Sequence, residues 1–240
     1  MNKLILALDV KTQREAEGFV DMLRGKVGAF KIGIQLFTAH GPAVIKMVQD
    51  QGEGVFLDLK FHDIPNTVAG AVAEACKLGV FMVNLHASGG SEMMRAAAHA
   101  ATRAADESGQ PRRRPFLLAV TVLTSLNQAI LKEELAIQQP LRDQVVHWAR
   151  MARKASLDGV VASPQEIREI RAACGKDFLI VTPGVRPTWA AAGDQKRVMT
   201  PKEAVEAGAD YIVVGRPILA APDPAAAADK IIEEIVSANE

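Results

Sequence analysis

The run Asp58-Leu59-Lys60-Phe61-His62-Asp63-Ile64-Pro65-Asn66-Thr67 sets one lysine between two acids. Its first part ends an apolar stretch and reads as a strand, along which side chains alternate between faces. Asp58 and Lys60 therefore share one face, and Leu57 and Leu59 take the other. Asp63 follows where the chain has turned and Pro65 forbids a continued ladder. An ammonium beside carboxylates suits a reaction that develops negative charge and then needs a proton. A buried Asp–Lys pair that only neutralises itself is the competing reading, since structural ion pairs also perturb titration. Charges are seldom fully buried without a purpose, so the second acid favours chemistry.

The elements that must position this array follow a regular alternation. Apolar runs at Lys3–Asp9, Ala29–Ile34, Gly54–Lys60, Phe81–His86, Phe116–Leu123, Gly159–Ala162, Leu179–Thr182 and Tyr211–Val214 read as strands. Between them lie helix signals. Thr12-Gln13-Arg14-Glu15 is a capping box, and a helix through Val44, Ile45 and Val48 follows the second strand. Further helices are expected at Thr67–Leu78, from about Ser91 to Glu107, and within Pro140–Ser156. Ser163-Pro164-Gln165-Glu166 and Thr200-Pro201-Lys202-Glu203 each supply an N-cap, a proline at the first helical position and a capping-box acid. Asp223-Pro224 opens the last helix. Apolar strands alternating with amphipathic helices call for a parallel sheet covered by helices. Repeated through residues 1–240 without a linker, the pattern predicts an α/β protein, a single-domain (β/α)8 TIM barrel. No GxGxxG follows the first strand, which weakens a dinucleotide-binding alternative.

Composition sets limits on partners. Lys plus Arg and Asp plus Glu both number 28 in 240 residues, so no bulk nucleic-acid or acidic-membrane partner is expected. Cys76 and Cys174 stand far apart without a CxxC or Cys/His cluster, so neither zinc nor a disulfide framework is expected. The apolar run Leu4–Leu8 is too short for a signal peptide, and no run approaches membrane-spanning length. The expectation is a soluble, cytoplasmic protein. The segment Ser108–Pro115, with Arg112-Arg113-Arg114, reads as a polar surface connection without assigned function.

In a barrel the carboxyl ends of all strands meet at one rim, where active sites are built. The polar residues expected there are Asp9, Lys31, Asp58, Lys60, His86, Thr121, Thr124, Ser163, Thr182 and Arg216. Val214-Gly215-Arg216-Pro217 suggests a phosphate site, with a glycine for close backbone approach and an arginine able to grip an anion bidentately. A glycine turn with a surface arginine is the plainer alternative. The connection from Pro183 to about Met199, with Arg186, Gly193, Asp194, Gln195, Lys196 and Arg197, is long enough to act as a lid.

Taken together, these residues resemble the orotidine 5'-monophosphate decarboxylase family. The similarity runs through Lys31-Ile32-Gly33, the Asp58–Thr67 decapeptide, Val120–Ser125, Thr182–Arg186, Gly193–Arg197 and Val214–Ile218. The resemblance implies a homodimer that converts orotidine 5'-monophosphate to UMP and carbon dioxide with no metal or organic cofactor. It implies Lys60 as proton donor, in a charged network with Lys31, Asp58 and the Asp63 of the neighbouring subunit. Asp9, Lys31 and Thr67, the last also from across the interface, would contact ribose hydroxyls. Thr124 would read the pyrimidine edge, and Arg186, Gln195, Gly215 and Arg216 would serve the phosphate and the lid.

Two other classes remain open. A magnesium-dependent sugar-phosphate barrel enzyme would use Asp58 and Asp63 as metal ligands, with His86 as a further candidate. A non-catalytic nucleotide-binding barrel would keep Arg216 and the loop without needing the acid–lysine array.

Overall fold

In the computed structural model, which describes residues 2–107, 114–190 and 199–238, parallel strands close on themselves in sequence order. They are β1 (Leu4–Ala7), β2 (Ala29–Gly33), β3 (Val55–Phe61), β4 (Met82–His86), β5 (Phe116–Val120), β6 (Gly159–Val161), β7 (Leu179–Pro183) and β8 (Tyr211–Val214), and β8 returns to pair with β1. The expected (β/α)8 barrel is therefore the observed fold.

Alternation along the strands separates two apolar layers. Ile5, Ala7, Phe56, Met82, Leu118, Val120, Val161, Val181 and Val213 fill the barrel interior. Leu4, Leu6, Phe30, Ile32, Leu57, Val83 and Ile180 face the helices. Strands buried on both faces need continuous apolar sequence, as these have. Close approach also matters: a Cβ on Gly159 would stand 2.3 Å from the Leu179 carbonyl oxygen.

The helices are α1 (Gln13–Leu23), α2 (Ile34–His40), α3 (Pro42–Asp50), α4 (Pro65–Lys77), α5 (Gly90–Glu107), α6 (Gln128–Glu133), α7 (Leu141–Lys154), α8 (Ile167–Cys174), α9 (Pro201–Glu206), α10 (Arg216–Leu219) and α11 (Pro224–Ser237). Both capping boxes predicted at Thr12 and Thr200 are formed, and Asp223 caps α11. Four local expectations change. The helix expected through Val44, Ile45 and Val48 forms as α3, but an unexpected helix, α2, precedes it and ends at Gly41, whose φ of 60° is easily adopted only by glycine. Ser163 caps a 3-10 turn, Pro164–Glu166, and the Glu166 side chain is buried instead of serving as a capping acid. β5 stops at Val120, which frees the following residues to cross the barrel mouth. A short helix, α6, capped by Asn127, precedes the long helix expected there. Cys174 is buried and Cys76 half-buried, and both are free thiols. Among the described residues no helix is long and apolar enough to cross a membrane.

Candidate active site

The carboxyl ends of β1, β2 and β3 carry a chain of alternating charges. Lys31 Nζ lies 3.3 Å from Asp9 Oδ1 and 3.2 Å from Asp58 Oδ2. Lys60 Nζ lies 2.6 Å from Asp58 Oδ1. Asp58 thus offers one oxygen to each lysine. Burial alone would push the Asp58 carboxyl up, but Lys31 and Lys60 outweigh it and hold it below the usual carboxylate range. Burial would likewise lower Lys31, yet Asp58 and Asp9 hold its ammonium above its ordinary value.

The expected alternation of Asp58 and Lys60 is kept, but by an irregular backbone. Leu57 pairs with Val83, and the next β3–β4 pair is Phe61 with Leu85, so β3 bulges between them. Within the bulge Lys60 takes φ 52°, a left-handed conformation that costs a non-glycine residue about 1–3 kcal/mol. Its backbone N–H donates to the side-chain oxygen of Asn84 over 2.8 Å, and Asn84 Nδ2 donates to Asp58 Oδ1 over 2.7 Å. Sequence reasoning passed over Asn84. The available signal was an amide on the inward face of an apolar strand, two residues from Met82 and two from His86.

These groups open onto a cavity of about 240 Å3 at the top of the barrel. Ala7, Phe56, Val120, Val161 and Val213 form its apolar floor, and Val122, Leu123 and Thr124 wall it from the segment after β5. Gly184, Arg186, Gly215 and Arg216 line the side after β7 and β8. β3 and β7 stand on opposite sides of an eight-membered ring, so Lys60 and Arg186 face one another across the mouth, whereas Arg216 follows β8, the neighbour of β1. A Cβ on Gly215 would lie 3.3 Å from Asp9 Oδ2 and 3.4 Å from Ala7 Cβ, so the bare glycine keeps that corner open. The loop after β7 is tied at its base, where Val185 bridges Met199 and the Arg186 N–H donates to the Met199 carbonyl. Gln195 and its neighbours Gly193, Asp194, Lys196 and Arg197 lie outside the described residues, as does most of the arginine-rich connection.

Of the residues assigned to the site, Asp9, Lys31, Asp58, Lys60, Thr124, Arg186, Gly215 and Arg216 line this one cavity. Asp63 and Thr67 do not. They sit exposed on the turn and first helical residues beyond β3, next to Ile64, which is 67% exposed. Three expected rim residues also lie elsewhere. Thr121 and Thr182 follow or precede inward-facing residues and so point outward, Thr121 onto the Val161 carbonyl; Ser163 is spent on its cap. His86 stands beside the site, its ring 5.3 Å from that of His62. Burial, then His62 and Lys60, depress its pKa, which favours the neutral imidazole.

A second hollow of about 190 Å3 shares Asp9, Lys31, Asp58 and Lys60 and runs out over Gln35 and the exposed Ile34. The charged chain is thus open on two sides.

Comparison with known proteins identifies the family. The sequence model of the "Orotidine 5'-phosphate decarboxylase / HUMPS family" matches residues 2–231. The chain is 57% identical over 235 residues to an orotidine 5'-phosphate decarboxylase of Geotalea daltonii, covering 98% of this chain and 96% of that protein. It is 55% identical over 234 residues to that of Moorella thermoacetica, covering 98% and 92%. Among solved structures, orotidine 5'-phosphate decarboxylase from Lactobacillus acidophilus superposes with a TM-score of 0.84 at 39% identity, covering 98% of this chain and 99% of that one. The chain belongs to the orotidine 5'-phosphate decarboxylase / HUMPS family.

Proposed function

We propose that this protein decarboxylates orotidine 5'-monophosphate to UMP in pyrimidine biosynthesis. The observation that carries the reading is the alternating chain Asp9–Lys31–Asp58–Lys60 at the mouth of a barrel that presents Arg186 and Arg216 to the same cavity. A nucleotide would lie in this cavity with its phosphate toward the arginines and its pyrimidine over the lysines.

In the reaction the bond from C6 to the carboxylate breaks, its electron pair stays on C6, and carbon dioxide leaves. The carbanion is very basic and poorly delocalised. The Lys60 ammonium stabilises the developing charge and then transfers a proton to C6, giving UMP and a neutral amine that solvent reprotonates. Asp58 and Lys31 fix that ammonium in place, and preorganised charge of this kind needs no rearrangement as the reaction proceeds. Asp9, Lys31 and Thr67 would hold ribose hydroxyls, and Thr124 the pyrimidine edge. Arg186, Gln195, Gly215 and Arg216 would hold the phosphate, whose binding energy can be used to assemble the site and exclude water.

The same reading makes the protein a cytoplasmic homodimer with complementary sites, in which the partner subunit's Asp63 and Thr67 complete the array. Their exposure beside Ile64, and the open hollow over Ile34, support this part. No metal or organic cofactor enters the scheme. Both Asp58 oxygens are engaged by lysines, so ligation of magnesium by Asp58 would require breaking the closest ion pairs of the site. The test is orotidine 5'-monophosphate turnover followed by absorbance with EDTA present, for wild type and Lys60→Ala. Rapid loss of substrate in the wild type, abolished in the variant, is expected. Inactivity in EDTA that magnesium restores would instead favour the sugar-phosphate class.

A further inference from the structure

Asn84 has no part in the scheme above, yet it touches both members of the reacting pair. Its side chain is fully buried on the inward face of β4. Its orientation is unambiguous, because the Lys60 N–H can only donate and the Asp58 carboxylate can only accept. Both ends of the amide are therefore spent within the site. The bulge in β3 takes Lys60 out of the regular ladder, and the Asn84 oxygen receives the part-buried N–H that would otherwise lack a strand partner. The nitrogen holds Asp58 Oδ1, the same oxygen that Lys60 Nζ contacts.

We propose that Asn84 is a positioning residue that braces the strained backbone of Lys60 against the Asp58 carboxylate, so that the ammonium is aimed into the cavity and held against its counter-ion. This inference rests on the decarboxylase reading. A side chain that merely filled a polar gap in the core would affect stability alone. A brace affects proton affinity and turnover as well, since a hydrogen bond donated to a carboxylate favours its charged form.

The other groups facing Asp58 are Lys31 from β2 and Lys60 from its own strand. Asp9 of β1 lies beyond Lys31, and His86 of β4, with His62 against it, also senses Asp58. Because His86 titrates on the acid side, the pH profiles are repeated in a His86→Gln background.

The experiment compares wild type, Asn84→Ala, Asn84→Ser and Asn84→Asp in the full chain. It measures kcat and KM against pH, UMP affinity, the melting temperature, and the Asp58 carboxyl titration by 13C NMR. Asn84→Ala should lower kcat about 10²-fold with KM and UMP affinity within about threefold, the usual scale for a misplaced catalytic group. The acid limb and the Asp58 titration should both move up by about one pH unit, as loss of one charge-assisted hydrogen bond predicts. Asn84→Asp keeps an acceptor for the Lys60 N–H but sets a second carboxylate beside Asp58, so its limb should move further up. Asn84→Ser, able to donate and accept, should fall between wild type and Ala; it and Asn84→Asp carry the test if Ala does not fold. An unmoved Asp58 titration, or a fall in melting temperature with kcat intact, would overturn the brace. A wild type that leaves orotidine 5'-monophosphate untouched would remove the decarboxylase reading instead, and the NMR titration would still decide whether Asn84 holds Asp58 ionised.

Discussion

Lys60 Nζ stands 2.6 Å from Asp58 Oδ1, although the two residues are joined through a backbone that leaves regular strand geometry at Lys60 itself. The ion pair and the strained conformation are one device. The bulge re-aims a side chain that a straight strand would carry further along the wall, and bulges commonly serve this purpose beside active sites.

Removing the ammonium should abolish turnover while sparing the pocket. Lys60→Ala is expected to lower kcat by more than about 10³-fold, combining loss of charge stabilisation with loss of the proton donor. UMP should still bind, because the arginine wall and Thr124 are untouched. A variant retaining a tenth of wild-type kcat would exclude Lys60 as the donor.

The strain at Lys60 predicts a separation of stability from activity. Lys60→Gly and Lys60→Ala both lack the amine, but glycine adopts φ 52° freely and alanine does not. Lys60→Gly should therefore be the more stable of the two by about 1 kcal/mol, read from chemical denaturation, with both inactive. Equal stability would mean that the left-handed conformation costs nothing here.

Much of this arrangement was legible in the sequence because it depends on local pattern. Apolar runs broken by capping boxes at Thr12 and Thr200 report the barrel units directly, and strand periodicity anticipates the Asp58–Lys60 pairing although a bulge delivers it. Asn84 was not legible, since its role arises from a register shift between β3 and β4 that no single stretch encodes. Thr121 and Thr182 show the complementary error: a polar residue at a strand end belongs to the rim only when its parity points inward, and theirs points to the helices. The short α2 was missed because it begins at Ile34, inside the apolar run read as the second strand.

The charged chain fixes the direction of pH effects. Asp58 is held below the ordinary carboxylate range, so its contribution to stability is complete above that range and is lost as pH falls through its lowered value. Lys31 is held above its ordinary value, so its contribution is complete below the usual lysine range and is lost as pH rises through the raised one. His86, depressed mainly by burial, adds a separate loss on acidification that begins as pH falls through the ordinary histidine range and ends at its lowered value. Melting temperature against pH should show an acid arm that flattens in Asp58→Asn. An arm of unchanged slope would assign the acid transition to other carboxylates.

Beyond Asp9, Arg216 follows Gly215 at the end of β8 and lines the same cavity. If phosphate binding drives assembly of the site, Arg216→Ala should reduce kcat/KM by about 10³-fold, or about 4 kcal/mol of transition-state stabilisation. Added phosphite dianion should increase turnover of a substrate lacking the phosphate in wild type, and far less in the variant. A loss under tenfold would remove the phosphate role from Arg216.

Asp63 lies outside the cavity formed by its own chain, on an exposed turn, while the charged groups it is expected to join open onto a second hollow. Complementary sites predict that two inactive variants can repair one another. A Lys60→Ala subunit still offers its Asp63, and an Asp63→Ala subunit still offers its Lys60. Each mixed dimer then holds one intact site and one lacking both groups. After equal mixing and exchange, half the dimers should be mixed, so recovered activity should approach about a quarter of wild type under the symmetry of a closed two-fold dimer. Activity should rise with the exchange time and be absent from either variant alone. Efficient subunit exchange without recovered turnover would mean that Asp63 serves its own subunit or none.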